Sequence, residues 1–172
     1  MPQYSEEELN QHYNGNPAMP VDAVSVLQDP EERILIVKPN YKPGWALPGG
    51  CREEDEAPLD SLRREVKEEV SVHLEASQLK LAGVRYVAAR NGRRAYVQLI
   101  FVGRLSAGQV EGIRLQQEEL SDYAFVPKSE LAAYAEAPRL QAIVAFLEAH
   151  DGNAAVYLEN ETVVMPDQAH RR

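Results

Sequence analysis

Short β-branched runs separated by turn-forming segments mark the strands of this chain. Two of them, Val21–Leu27 and Ile34–Lys38, lie on either side of the polar segment QDPEER. Two longer runs, Leu79–Ala89 and Arg93–Val102, flank Asn91-Gly92, a dipeptide that favours a two-residue hairpin turn. The second of these longer runs is almost continuously apolar, which predicts a strand in the middle of a sheet.

Helical patterns occur in three places. Residues 1–20 are predicted to form a short N-terminal helix and a lead-in to the sheet, because the segment SEEE has the spacing of a capping box. A second helix is predicted from Pro58, which suits a first helical position, to about Val70. A third helix is predicted to end near Gly152. Its apolar residues recur three and four positions apart, at Leu140, Ile143, Val144 and Leu147.

The remaining segments complete an α/β pattern. Leu105–Leu120 is predicted to be a long polar connection, Tyr123–Val126 a short strand and Val156–Met165 a last hairpin. No internal repeat or linker divides the chain, so residues 1–172 are predicted to form one domain, with 153–172 as a C-terminal extension. The hairpins exclude an all-parallel sheet.

The composition is that of a globular protein, with 44% hydrophobic and 26% charged residues in 172. A single cysteine, Cys51, excludes an intramolecular disulfide and fits a reducing compartment. The longest apolar run, near Tyr96–Val102, is too short to span a bilayer, and the first residues lack the features of a secretory signal. We therefore expect a cytoplasmic protein that does not enter membranes.

The net charge of −9 argues against binding to a nucleic acid polymer, whose phosphates an acidic surface repels. A small phosphorylated ligand is still compatible with it, provided that a cation neutralises the site. Eight acidic residues fall within seventeen positions: Glu53, Glu54, Asp55, Glu56, Asp60, Glu65, Glu68 and Glu69.

Three of these acids share one flank of the predicted second helix. At 100° per residue, Glu65, Glu68 and Glu69 lie beside the apolar stripe rather than opposite to it. Clustered carboxylates suit a hard divalent cation such as Mg²⁺ or Mn²⁺, and such a site favours metal-assisted hydrolysis of a phosphoanhydride. The competing interpretation is a solvated acidic face. Gly49-Gly50, which permits close backbone approach just before the helix, favours the metal site.

The segment from Gly50 to Val72 resembles the Nudix box, G-x5-E-x7-R-E-U-x-E-E-x-G-U, in which U is a bulky aliphatic residue. One fixed position departs from the pattern, since Ser71 stands where the family has glycine. The preceding WALPGG is also typical of Nudix hydrolases, and the similarity in layout extends from about Val21 to about Leu147. The matching positions are Gly50, Glu56, Arg64, Glu65, Val66, Glu68, Glu69 and Val72.

The resemblance implies an α/β/α sandwich with a mixed sheet. It also implies cleavage of a nucleoside diphosphate linked to another moiety, with Mg²⁺ or Mn²⁺ as cofactor. By position, Glu68 and Glu69 would be metal ligands, Glu65 a ligand or the base that activates water, and the Gly50 carbonyl a further ligand. Arg64 would orient these acids and pair with Glu56.

A later loop often contributes one more acid to Nudix sites. Glu118 and Glu119 are the candidates in this chain, with Glu119 preferred. If Ser71 must adopt a positive φ, this conformation costs about 1 kcal/mol of stability. The acids lie before Ser71 in the chain, so we expect the metal site to be preserved.

Before the box, the loop Lys38–Gly50 contains candidate substrate contacts in Lys38, Tyr41 and Lys42. Trp45 is better interpreted as an anchor of this loop to the core. No signature outside the box identifies the substrate beyond a small nucleotide. The alternative function is a Nudix module that binds or senses a nucleotide without cleaving it. The apolar edge near Val156–Val164 is compatible with a homodimer.

Overall fold

A mixed β-sheet of eight strands forms the centre of the structure, a computed structural model that describes residues 4–15, 18–135 and 137–165. Residues 166–172 of the predicted C-terminal extension, and the side chain of Leu140, lie outside that part. The strands are β1 (Val21–Gln28), β2 (Ile34–Pro39), β3 (Gly49–Cys51), β4 (Leu79–Val87), β5 (Tyr96–Arg104), β6 (Leu120–Val126), β7 (Val156–Glu159) and β8 (Thr162–Met165). The α-helices are α1 (Glu6–Asn14), α2 (Pro58–Val70), α3 (Ala107–Glu111) and α4 (Ala137–Asp151).

The strands follow the order β6-β2-β1-β5-β4-β7-β8, and β3 pairs with β1. The pairs β1–β5 and β4–β7 are parallel and the others antiparallel, which confirms the mixed sheet. Strand β5 lies between β1 and β4, as its apolar sequence predicts. At the tip of the β4–β5 hairpin, Asn91 and Gly92 both have positive φ (52° and 79°), the geometry of a type I′ turn.

Two hydrophobic cores lie on opposite faces of the sheet. Alternate residues of β1 and β2 point to each face, because side chains of a strand alternate. On one face, Val24, Val26, Ile34 and Ile36 pack with Ile143 and Phe146 of α4. On the other face, Ala23, Leu27, Leu35 and Val37 pack with Leu62, Val66 and Val70 of α2. The predicted α/β/α sandwich is therefore confirmed.

Helix α2 has the predicted bounds, with Pro58 in its first turn and Val70 as its last residue. Ser71 caps it in the left-handed conformation, with φ 60°. The predicted N-terminal helix is also present. Ser5 Oγ accepts a hydrogen bond from Glu8 N at 3.2 Å, and Glu8 Oε2 accepts one from Ser5 N at 2.8 Å.

Some boundaries differ from the predictions. The predicted polar connection Leu105–Leu120 contains helix α3, which begins with a capping box formed by Ser106 and Gln109. Strand β4 ends at Val87 rather than Ala89, because the Ala88 amide donates to the Asn160 side chain instead of pairing across the hairpin.

Along α4, the predicted face is correct at Ile143 and Leu147, whereas Val144 is half-buried and Phe146 takes its place in the core. Among the described residues, none of the helices has both the length and the apolar character needed to cross a bilayer.

Candidate active site

Gly49 and Gly50 bring the backbone of β3 directly against helix α2. Gly49 has a φ of +123°, and a Cβ atom there would lie 2.8 Å from the Cα of Val24. A Cβ atom on Gly50 would lie 2.7 Å from the carboxyl carbon of Glu65. The backbone of β1 therefore leaves room only for glycine at position 49, whereas a side chain at position 50 would displace the Glu65 carboxylate from the β3 backbone. The Gly49 amide also donates a hydrogen bond to Glu69 Oε2 at 2.9 Å.

Arg64 holds three carboxylates around a single guanidinium group. It forms a two-pronged contact with Glu56, from Nε to Oε1 at 2.9 Å and from Nη2 to Oε2 at 3.0 Å. Its Nη1 donates to Glu65 at 2.8 Å and to Glu68 at 3.0 Å. The Arg64 side chain lowers the pKa of Glu56 to about 2. The expected pairing of Arg64 with Glu56 is present, and Arg64 also contacts Glu68, while its role in orienting the acids stays a prediction.

Glu69 and Glu65 are two carboxylates of the box whose pKa values are raised by burial. Burial raises the pKa of Glu69 to about 7, against the Gly49 hydrogen bond, and the charges of Glu65 and Glu119 raise it further. Burial also raises the pKa of Glu65, and contacts with Arg64 oppose this effect. Both side chains are only partly accessible, whereas Glu68 is exposed. The two half-buried acids therefore repel each other where the β3 backbone meets α2.

Glu119, rather than Glu118, is the later acid whose charge reaches the site. It contributes to the raised pKa of both Glu65 and Glu69. Its carbonyl accepts a hydrogen bond from the Asn40 amide at 2.8 Å, which ties its loop to the segment before the box. Among the described residues, no three acidic, histidine or cysteine side chains converge into a ready-made metal shell, since Arg64 binds Glu65 and Glu68.

A cavity of about 460 Å³ opens beside Glu69, and the other expected acids, Glu65, Glu68 and Glu119, are not among its lining residues. Gly49, Gly50 and Glu69 line it on the side of the box, and Tyr41 and Lys42 line it from the preceding loop. Lys38, the third expected substrate contact, is not among the lining residues. Its ammonium lies 5.9 Å from the centre of the Trp45 ring, which itself packs against the core as expected.

The cavity also has a cationic wall that no sequence pattern indicated. Four arginines line it, from three different elements: Arg85, Arg93, Arg94 and Arg139. Desolvation and the charges of Arg139 and Arg93 lower the pKa of Lys42. Arg93 and Arg94 follow the Asn91-Gly92 turn directly, so their position at a hairpin tip was visible in the sequence. The approach of Arg139 depends on how α4 packs, which no local pattern reports.

Comparison with known proteins supports the same fold. A sequence model of the NUDIX domain matches residues 19–147. A MutT-like protein of Streptomyces ambofaciens is 33% identical over 92 residues, which cover 54% of this chain and 56% of that protein. The human 8-oxo-dGDP phosphatase NUDT18 is 27% identical over 107 residues, which cover 61% of this chain and 31% of that protein. The matches thus span about a third to about half of the lengths of these relatives.

Among solved structures, the NUDIX domain of Shewanella oneidensis NrtR, complexed with ADP ribose, superposes with a TM-score of 0.67 at 21% identity. The superposition covers 84% of this chain and 98% of that domain. At this identity the likeness concerns the fold. The domain match over 19–147 includes the whole Gly50–Val72 box and all the buried residues of the two cores except Val156 and Leu158, and on this basis the chain belongs to the Nudix family.

Proposed function

We propose that this chain hydrolyses a phosphoanhydride bond in a nucleoside diphosphate linked to another group, with a divalent cation, Mg²⁺ or Mn²⁺, as cofactor. The observation that carries the proposal is the position of Glu69 and Glu65. They lie together under the Gly49-Gly50 backbone, and Glu69 lines a cavity whose wall also contains Lys42 and four arginines. Such a cavity accommodates a ligand whose phosphates meet both a cation at the acids and the basic side chains.

The acids fit a hard divalent cation. The available donors are carboxylate and carbonyl oxygens, the ligands that Mg²⁺ and Mn²⁺ prefer. The charge of Glu65 raises the pKa of Glu69, and a cation bound between the two carboxylates would relieve that repulsion. The residues that would hold it are Gly50 (through its carbonyl), Glu65, Glu68, Glu69 and Glu119. A cation bound there polarises phosphate oxygens and lowers the pKa of bound water.

The protein's own groups have separate tasks in this reaction. Arg64 fixes Glu65 and Glu68, while the Gly49 amide fixes Glu69. Lys42 and Tyr41 contact the substrate in the cavity. During hydrolysis, the oxygen of water forms a bond to phosphorus and the bridging phosphorus–oxygen bond breaks. A carboxylate accepts the proton that water loses, and Glu65 serves either as this base or as a ligand.

Two relatives support the substrate class. The human relative is named as an 8-oxo-dGDP phosphatase, and the Shewanella domain was solved with ADP ribose. Both compounds contain a nucleoside attached to a diphosphate. We therefore propose that the substrate of the present chain also contains a nucleoside attached to a diphosphate.

A panel of nucleoside diphosphate derivatives tests the proposal. Each compound is incubated with Mg²⁺, with Mn²⁺ and with excess chelator, and products are separated by ion-exchange chromatography. We expect at least one compound to be cleaved at its diphosphate, only when a divalent cation is present. Cleavage that persists in chelator would contradict the role of the metal. Saturable binding of a nucleotide without cleavage of any compound would instead favour the alternative function, a nucleotide-binding module.

A further inference from the structure

A second cavity adjoins the first at Arg139. It measures about 350 Å³, and Arg139 lines both cavities. The Arg139 guanidinium is held there by a hydrogen bond from Nη1 to the Trp45 carbonyl at 3.0 Å. Around the second cavity, which we call the distal compartment, Arg90, Trp45, Tyr134 and Glu161 also contribute to the wall. None of the acids of the Nudix box lines it.

Part of the wall of the distal compartment comes from residues that follow the matched NUDIX domain in the sequence. The hairpin β7–β8 adds to the sheet next to β4, and its turn contains Asn160 and Glu161. Glu161 pairs with Arg85, whose side chain is only 13% exposed. Arg85 also donates to the Asn160 carbonyl and to Gln98. This hairpin therefore fixes one wall of the substrate cleft with residues that lie outside residues 19–147.

The charges of the two cavities exceed what a diphosphate needs. Their walls hold six cationic side chains against three carboxylates, in a chain whose net charge is −9. Within the described residues, Arg85 is neutralised by Glu161, but no carboxylate lies within 4 Å of the other five basic groups. These are Lys42, Arg90, Arg93, Arg94 and Arg139.

A diphosphate that joins two groups carries two negative charges, which is fewer than the five unpaired basic side chains around the two cavities. The unpaired basic side chains therefore remain available for additional negative charge. Arginine guanidinium groups bind phosphate and carboxylate through paired hydrogen bonds. The distal compartment places two of them, on Arg90 and Arg139, away from the box acids.

We infer that the distal compartment binds an anionic group of the substrate that is separate from the cleaved diphosphate, so that the substrates are nucleoside diphosphate derivatives carrying a further phosphate or carboxylate. This inference rests on the proposed function, because it assigns the substrate class of the same cleft. It makes Arg90 and Arg139 specificity-determining residues of a compartment whose wall also includes Glu161 from the turn of the β7–β8 hairpin.

Two matched ligand pairs test the inference: NADP⁺ against NAD⁺, and UDP-glucuronate against UDP-glucose. Within each pair, only the remote charge changes substantially. Trp45 is the single tryptophan of the chain and lines the distal compartment, so its fluorescence reports binding. Kd is measured with chelator present, and kcat/KM with Mg²⁺. We expect the charged member of at least one pair to bind about tenfold or more tightly, the scale of a charge-assisted hydrogen bond.

Arg90→Gln and Arg139→Gln should reduce this preference towards a ratio of one. Arg104→Gln is the matched control, because Arg104 pairs with Glu32 on the surface and lines neither cavity, and it should retain the preference. Thermal unfolding confirms that each variant is folded. If Arg139→Gln unfolds, the ligand preference of Arg90→Gln alone tests the inference. Arg90 is exposed beside the turn of the β4–β5 hairpin, so its replacement should leave the fold intact.

Three results would overturn the inference. They are equal affinity within both ligand pairs, no binding of any of the four ligands, and a preference for the charged ligand that both arginine variants retain. The proposed function fails separately. Charge-selective binding that depends on Arg90 and Arg139, without cleavage of any nucleotide, would support the distal compartment while contradicting hydrolysis. Cleavage of a nucleotide without any preference for the charged ligands would support hydrolysis while contradicting the role of the distal compartment.

Discussion

Arg64 contacts three carboxylates at once, on Glu56, Glu65 and Glu68. A lysine has the same charge but lacks the planar fork that makes these simultaneous contacts. We expect Arg64→Lys to lower kcat by about tenfold or more, because Glu65 and Glu68 lose their orientation. The comparison is Arg63→Lys on the same helix, which alters contacts to Asp60 and the Leu74 carbonyl only. Steady-state kinetics that show equal kcat losses in both variants would contradict the orienting role of Arg64.

Glu69 gives the metal-free protein a characteristic pH dependence. Its pKa in the folded protein is about 7, above the ordinary value of 4.5, so the folded state binds the proton more tightly than the unfolded state. The free energy of unfolding should therefore fall as pH rises from about 4.5 to about 7, by on the order of 2 kcal/mol. Saturating Mg²⁺ should reduce this loss, because the cation binds the deprotonated carboxylate.

Urea unfolding at several pH values, in chelator and in Mg²⁺, measures this dependence. In Glu69→Gln the decline should be smaller, since no proton is released at this position. Glu54, an exposed acid in the turn before the helix, provides the control, and Glu54→Gln should retain the full decline. Identical pH profiles for the wild type and Glu69→Gln would show that Glu69 does not have the raised pKa.

For single residues, spacing along one helix was sufficient to predict the clustered glutamates, but it did not predict the arginines that line the cavity. Glu65 and Glu69 lie on α2 at i and i+4, so their proximity follows from helix geometry. Arg139 and Arg85 reach the cleft from α4 and β4. Their positions depend on packing between elements that are distant in sequence, and no pattern within either element encodes it.

The end of α2 depends on a residue with a left-handed backbone. Ser71 has φ 60°, and its Oγ donates to the Arg114 carbonyl at 3.0 Å. Ser71→Gly should relieve backbone strain while losing the hydrogen bond, so that stability changes little. Ser71→Ala keeps the strain and also loses the bond, and we expect it to be less stable than Ser71→Gly by about 1 kcal/mol. Chemical denaturation distinguishes them, and an alanine variant as stable as the glycine variant would contradict this account of the helix end.

Elements with strong local signals are predictable from the sequence. Helix α2 and the Asn91-Gly92 turn are examples, because proline at a helix start and a type I′ turn each constrain the backbone locally. Helix α3 escaped prediction because five residues give too short a periodic pattern, although Ser106 and Gln109 have the spacing of a capping box. The end of β4 depends on Asn160, more than 70 residues away in the chain.

The assembly of the whole molecule stays a prediction. Strand β8 lies at one edge of the sheet, with Val163 39% and Val164 47% exposed. An exposed apolar edge strand favours pairing with a second copy of the chain. We expect light scattering to give the mass of a dimer for the wild type and of a monomer for Val164→Lys, since lysine on an edge opposes pairing. A monomeric wild type at all concentrations would remove the prediction.

The proposed hydrolysis depends on the acids of the box acting as a catalytic cluster rather than as an acidic surface. The most direct measurement is kcat/KM of Glu69→Gln and of Glu54→Gln on one confirmed substrate with Mg²⁺. Glu69→Gln removes a charge from the proposed metal site while preserving shape, and should lower kcat/KM by about 100-fold or more. Glu54→Gln, which removes an exposed charge outside the matched positions, should retain the wild-type value. Near-wild-type values for both variants would contradict the assignment of this site.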